Sequence, residues 1–218
     1  MANNFFNAIQ TNVSNDSTLP TAVYTTPVSK KSILIELDVA NKSSSGVTVT
    51  VQVCDASANT GPSGNTRNVN AVATNTTGTL TTVSAHGLSV NDRVVFTNGT
   101  DPSFTDDALP PSGEATLSET RMYYVQSASG TTFTIAESES ASAALTFDNA
   151  GSGLKMVKVH LADIVRDAPV PVGGSLKVIS GQKLVLESSS STIQDKVYVY
   201  SSAASAVDAI GSVLQEVS

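Results

Sequence analysis

Two histidines, His86 and His160, and one cysteine, Cys54, are the residues of this sequence best equipped to bind a metal, move a proton or attack a carbonyl. A hydrolytic centre needs a base beside a nucleophile, or a set of ligands at metal spacing. Neither histidine has a second one at such a spacing. A single cysteine rules out a Cys-based zinc cluster and an internal disulfide framework. His86 lies in His86-Gly87-Leu88 beside a turn and reads as a side chain capping backbone groups. His160 ends an alternating run and reads as a surface or packing residue. A Ser–His–Asp triad is a spatial object, and in a chain that is about a quarter Ser and Thr a sequence match to one carries no information. Asp101, Asp106 and Asp107 cluster without EF-hand spacing; with Glu114, Glu119, Glu137 and Glu139 they read as solvated charge. Cys54 shares the parity of Thr50 and Gln52, the less buried side of its strand, as a quiet free thiol. Gly61, Gly64, Gly173 and Gly174 lack the strand–loop–helix context of a phosphate loop. The expectation is no catalytic residue, no metal site and no cofactor.

Composition narrows the class. The 218 residues carry a net charge of -7, 14% charged residues, 5% aromatics and no Trp. An acidic chain lacks the basic stripe that neutralises phosphates, so no nucleic-acid partner is expected. No apolar run reaches the roughly 18 residues of a membrane span. Met1-Ala2-Asn3-Asn4-Phe5-Phe6 has no basic region and no long apolar stretch, so no signal peptide is read. The sequons Asn12-Val13-Ser14 and Asn98-Gly99-Thr100 then follow from a Ser/Thr/Asn-rich composition. Such a chain suits strands whose outer faces are Ser and Thr.

The elements read accordingly. Residues 1–19 form an N-terminal arm, in which Phe6, Ile9 and Val13 have helix-like spacing. Ser32–Ala40 places Ile33, Ile35, Leu37 and Val39 on one face. After the turn Asn41–Gly46, Val47–Val53 alternates valine with polar residues, a period of two and a half-buried strand; the two runs read as a hairpin or as meander neighbours. Residues 59–69 are a linker by composition. Short strands follow at Thr79–Val83, Arg93–Thr97, Met122–Ala128 and Thr131–Ala136, the last two paired around Ser129-Gly130, and 150–153 form a second linker. From Leu154 the valine-rich texture returns through Lys196–Tyr200 and Ala206–Val217, where a change of buried face near Gly211 predicts a bulge. The predicted fold is all-β: an antiparallel β-sandwich, jelly-roll-like or Ig-like, over 20–58 and 153–218. A small β-barrel or sandwich domain over 70–150 is inserted in it.

Two resemblances rest on these segments. Thr81–Leu88 with its His-Gly-Leu, Asp92–Phe96, Tyr123-Tyr124-Val125 and Thr132–Ile135 resemble a small β module recurrent in phage tail and virion proteins. Its similarity to the catalytic-cysteine half-domain of ubiquitin-activating enzymes brings no catalytic residue with it. Val23–Lys31 and Ala168–Leu176 resemble small β-sandwich structural proteins of tailed bacteriophages, marine phages especially. The resemblance implies a non-enzymatic structural component of a tailed-phage virion, assembled in the bacterial host cytoplasm. An accessory neck, collar or tail protein is favoured, with a head (capsid) decoration protein and a host-receptor or glycan-binding tip as alternatives. The implied partners are further copies in a homo-oligomer and other virion proteins (capsid, portal or neck, tail), with no membrane. Small sandwiches have one inner side to fill, so Phe5, Phe6 and Ile9, together with Tyr198 and Tyr200, are the candidate subunit contacts.

Overall fold

The computed structural model describes residues 3–59, 67–72, 78–97, 112–114, 116–191 and 193–216, and every regular element among them is a strand. In chain order these are β1 (Asn4–Gln10), β2 (Thr21–Thr25), β3 (Lys31–Asn41), β4 (Val47–Cys54), β5 (Arg67–Val72), β6 (Leu80–Thr82), β7 (Arg93–Thr97) and β8 (Tyr123–Ser129). There follow β9 (Thr132–Ala136), β10 (Lys155–Val159), β11 (Leu161–Val170), β12 (Ser175–Ile179), β13 (Leu184–Ser190), β14 (Ile193–Gln194), β15 (Lys196–Ser201) and β16 (Val207–Gln215). The chain divides into two compact units, Met1–Ala58 with Leu161–Ser218, and Asn59–His160.

The first unit is an antiparallel sandwich. One sheet has the order β1-β16-β3-β13-β14, with β12 also paired to β3; the other runs β11-β4-β15-β2. Between them lies a core of Leu34, Leu37, Val39, Val49, Val51, Leu186, Val197, Val199, Val207, Ala209 and Val213. Early strands pair with late ones, β3 with β16 and β4 with β15, so the sheets close only when the two ends of the chain meet. β3 and β4 do not pair with each other as a hairpin or as neighbours. The turn between them crosses from one sheet to the other, held by the buried Asn41. Its Nδ2 donates to the carbonyls of Ser45 (2.8 Å) and Val170 (3.1 Å), and its Oδ1 accepts from the Ser43 amide (2.9 Å).

Several expectations about this unit are corrected. The first residues form strand β1, antiparallel to β16 from Asn4↔Gln215 to Gln10↔Ala209, not a free arm or helix. The helix-like spacing of Phe6, Ile9 and Val13 gives way to a period of two, because Phe6 and Ala8 find the sandwich core to pack on. In β3 the inner residues are Leu34, Leu37 and Val39, not the unbroken series from Ile33. Ser212 pairs with Glu36 and Val213 with Leu34, so Ile35 is an extra residue and the bulge sits in β3, opposite the site predicted for it. β16 keeps one parity throughout, with Val207, Ala209, Gly211 and Val213 all inward.

The second unit is a closed barrel in the order β10-β5-β6-β9-β8-β7. The hairpin β8–β9 turns at Gly130, whose φ of 59° is the left-handed value such a turn requires. Leu80, Val94, Phe96, Leu117, Tyr123, Ile135, Phe147 and Met156 fill the interior. Leu154–Val159, expected to open the second sandwich segment at 153, belongs here instead. β10 pairs with β7 over five residues and buries Met156 in the barrel. The barrel strands therefore begin at Arg67 rather than 70 and run on to Val159.

Leu161 is paired with Cys54 at the point where the sandwich chain departs and returns. Joining Ala58 directly to Leu161 turns β4 and β11 into a hairpin with a loop of about four residues, a common length. We expect this deletion to retain a sheet-type circular dichroism spectrum and a single cooperative melting transition. An aggregated or non-cooperative product would show that the sandwich needs the barrel to fold.

Candidate functional site

The outer face of the β1-containing sheet is apolar over one half. Alternation along β1 sends Phe6 and Ala8 inward and leaves Phe5 and Ile9 outward, 62% and 57% exposed. Phe5 lies opposite Leu214, Leu214 opposite Ile33, and Ile33 opposite Val185, a row of apolar side chains across β1, β16, β3 and β13. Val185 is 56% exposed. A second pair, Ile9 opposite Ile210, flanks the row. Three ion pairs lie on this face: Lys177 bonds Glu36, Lys31 bonds Glu187 (2.8 Å) and Lys42 bonds Asp208 (2.7 Å). Exposed pairs of this kind add little stability, but they leave the face with few uncompensated charges. The Asp208 carboxyl is held below its ordinary range by the Lys42 ammonium and by the Asn12 amide.

The predicted contact residues separate into three places. Phe5 and Ile9 lie on this face. Phe6 faces inward, half-buried against the core, its ring 6.2 Å from that of Tyr24. Tyr198 and Tyr200 lie on the outer side of the other sheet, half-buried, in register with Gln52 and Thr50 of β4. There Gln52 Nε2 donates to Asp163 (2.7 Å), and the Asp167 amide donates to Thr50 Oγ1 (3.0 Å). Gln52 Oε1 is buried without a hydrogen-bond partner. Burial pushes the Tyr198 hydroxyl well above its ordinary pKa, and it does the same to Tyr123 in the barrel and, more mildly, to Tyr24. Cys54 is 4% exposed on this side, so the expectation of a less buried thiol is corrected. Of the outer-face row, sequence reasoning singles out only Phe5; it puts Ile33 on one face with Leu37 and Val39 because the β3 bulge has no local signature.

A groove of about 560 Å³ lies at one end of the sandwich, lined by Lys30, Lys31, Asp55, Glu187, Ile193 and Asp195 among others. Its carboxylates are already engaged. Asp195 accepts from the amides of Ala56 (2.9 Å) and Glu187 (2.8 Å), Asp55 caps the turn at Ser57 (3.0 Å), and Lys31 pairs with Glu187. These groups tie turns together across the chain. Among the described residues no group of His, Cys, Asp and Glu is placed to hold a metal ion.

In the barrel, His86 is buried and spans its turn. The Leu88 amide donates to Nδ1 (3.0 Å), which leaves Nε2–H to donate to the Thr132 carbonyl (2.9 Å). His160 is exposed, and its amide donates to Asn59 (2.7 Å). Glu114 and Glu137 are not free solvated charge. Arg121, itself buried, lies 3.2 Å from Glu114 and 3.6 Å from Glu137, and Glu137 also accepts from the Ser112 amide (2.8 Å) and hydroxyl (2.6 Å). Asp101, Asp106 and Asp107 lie outside the described residues.

Set against family models, curated proteins and solved structures, the chain matches none.

Two measurements test this reading of the interior. Arg121→Ala leaves Glu137 buried without its cation, and should cost about 3–5 kcal/mol by denaturant titration of the barrel transition. Burial raises Tyr123 and Tyr198 in the folded state, so the unfolded chain releases those protons first. Stability should be unaffected by these groups below pH of about 10 and fall as pH rises above it. Phenolate absorbance in an alkaline titration should show these two tyrosines ionising only with unfolding; free titration in the folded protein would contradict their burial.

Proposed function

We propose that the chain is a non-enzymatic structural component of a tailed-phage virion. Its work is mechanical: an accessory neck, collar or tail protein that assembles by symmetric packing of its sandwich domains. The observation that carries this reading is the apolar row Phe5–Leu214–Ile33–Val185 on the outside of an already filled sandwich. Exposed apolar surface that runs across four neighbouring strands, flanked by ion pairs, is the form of an association face. The resemblance of both units to β modules of phage particles supplies the setting, and the partners are then further copies of the chain and neighbouring capsid, portal or tail proteins.

Imaging of purified particles tests the proposal. The chain should occur in multiple copies touching one another or a ring of partners at the neck, collar or tail. A lattice over the capsid would identify head decoration instead. Val185→Lys, which alters an exposed residue, should leave the fold intact and lower the number of copies per particle. Isolated copies without neighbours, or particles lacking the chain, would overturn the structural role.

A further inference from the structure

A free strand edge offers unpaired N–H and C=O groups to any second strand, and β proteins blunt such edges with prolines, charges, bulges or very short strands. Most edges of this sandwich are blunted in these ways. β2 has five residues between Pro20 and Pro27 and shifts register against β15. β11 carries Asp163, Arg166, Asp167 and Pro169, with two register shifts against β4. β14 has two residues, and β12 has five with Lys177 among them. β1 has none of these devices. Its seven residues, Asn4 to Gln10, include no charge and no proline and run in unbroken register along β16. Among the described residues no strand pairs with its other edge.

The order of side chains along β1 is nearly symmetric about Asn7: polar, apolar, apolar, polar, apolar, apolar, polar. An antiparallel pair of such strands centred on Asn7 sets Phe5 opposite Ile9 of the partner subunit, and Asn7 opposite Asn7 of the partner subunit. Phe6 then meets Ala8 of the partner subunit on the core side, and Asn4 meets Gln10 of the partner subunit. On the outer face, Leu214 and Phe5 continue into Ile9 and Ile210 of the partner subunit, and the two-fold axis repeats the row. A neutral strand in a chain of net charge -7 brings no like charges face to face. A contact that uses one patch twice is what a two-fold dimer requires.

We infer that β1 is a self-association edge: two copies join β1 to β1, antiparallel about Asn7, and the sheet continues from one subunit into the next. This rests on the reading that the chain assembles with itself, and adds the occupant, the strand and the register. The test uses the full chain with single substitutions. Directly opposed residues of an antiparallel pair lie about 4.5–5.5 Å apart at Cα, within disulfide reach. Under mild oxidation, Asn7→Cys should give a dimer linked between the two introduced thiols, located by peptide mapping. Ser175→Cys, exposed on β12, should give no cross-linked dimer. Phe5→Lys with Ile9→Lys places like charges opposite each other and should weaken the dimer by at least about tenfold in native mass spectrometry. Phe5→Lys with Ile9→Glu should restore it, which a contact in any other register would not do. Failure of Asn7→Cys to cross-link above the Ser175→Cys control, or absence of that rescue, overturns the inference. If it fails while the chain is still oligomeric by light scattering, the structural role survives with a different contact. Cross-linking by a chain that is missing from particles would leave β1 pairing in place and remove the virion role.

Discussion

The arrangement of the sandwich depends on one extra residue in β3. Ile35 has no partner on β16, and this insertion lets Leu34 and Leu37, three positions apart, both point into the core. Gly211 makes the fit possible. It lies opposite Leu37, and a Cβ at that position would meet Leu34 Cδ1 at 3.0 Å and Leu37 Cδ1 at 3.8 Å. Two leucines therefore occupy the space a side chain on β16 would otherwise take. The same bulge turns Ile33 and Ile35 outward, while Glu36 and Asp38 face out on its other side. One local irregularity thus fills the interior and divides the outer face into an apolar half and a charged half.

That division gives the molecule its character. Val185 and Leu214 fall beside Ile33 because the register on both sides of β3 is fixed by what lies underneath, where Leu186 and Val213 are fully buried. Slipping either strand by one residue would expose core leucines and valines, so the outer row is as firmly specified as the core. The polar groups that are buried act as ties between distant segments. Asn41 joins the β3–β4 crossing to the chain leaving β11, and Asp195 joins the turn after β4 to the middle of β13. Both satisfy backbone groups that would otherwise be left without partners, which accounts for polar residues buried in the sandwich.

The barrel has its own interior and its own polar centre. Arg121 faces Glu114 and Glu137, and Glu137 also holds Ser112 through its amide and hydroxyl, so a stretch lacking regular structure is held by charge-assisted bonds. His86 performs a comparable task at the opposite scale, fixing one turn through Leu88 and Thr132. These ionisable groups thus tie loops of the barrel to its strands.

Period-two valines in β4, the Ser129-Gly130 turn and the scarcity of charge determined the all-β class from the sequence alone, because these signals are local. The tie made by His86 was legible for the same reason: it acts two residues away as well as across the barrel. Alternation names the two sides of a strand without saying which one is covered: Cys54 lies on the side its parity indicates and is buried there all the same, while Ile33 does not share the face of Leu37 and Val39. A single unpaired residue in β3 reverses the parity with no composition change to announce it. The place of β10 in the barrel, the ion cluster of residues 114, 121 and 137, and the row joining residues 5, 214, 33 and 185 were decided by tertiary structure. Each depends on contacts that local sequence does not announce, and only the meeting of the two ends of the chain in one sheet brings Phe5 beside Leu214.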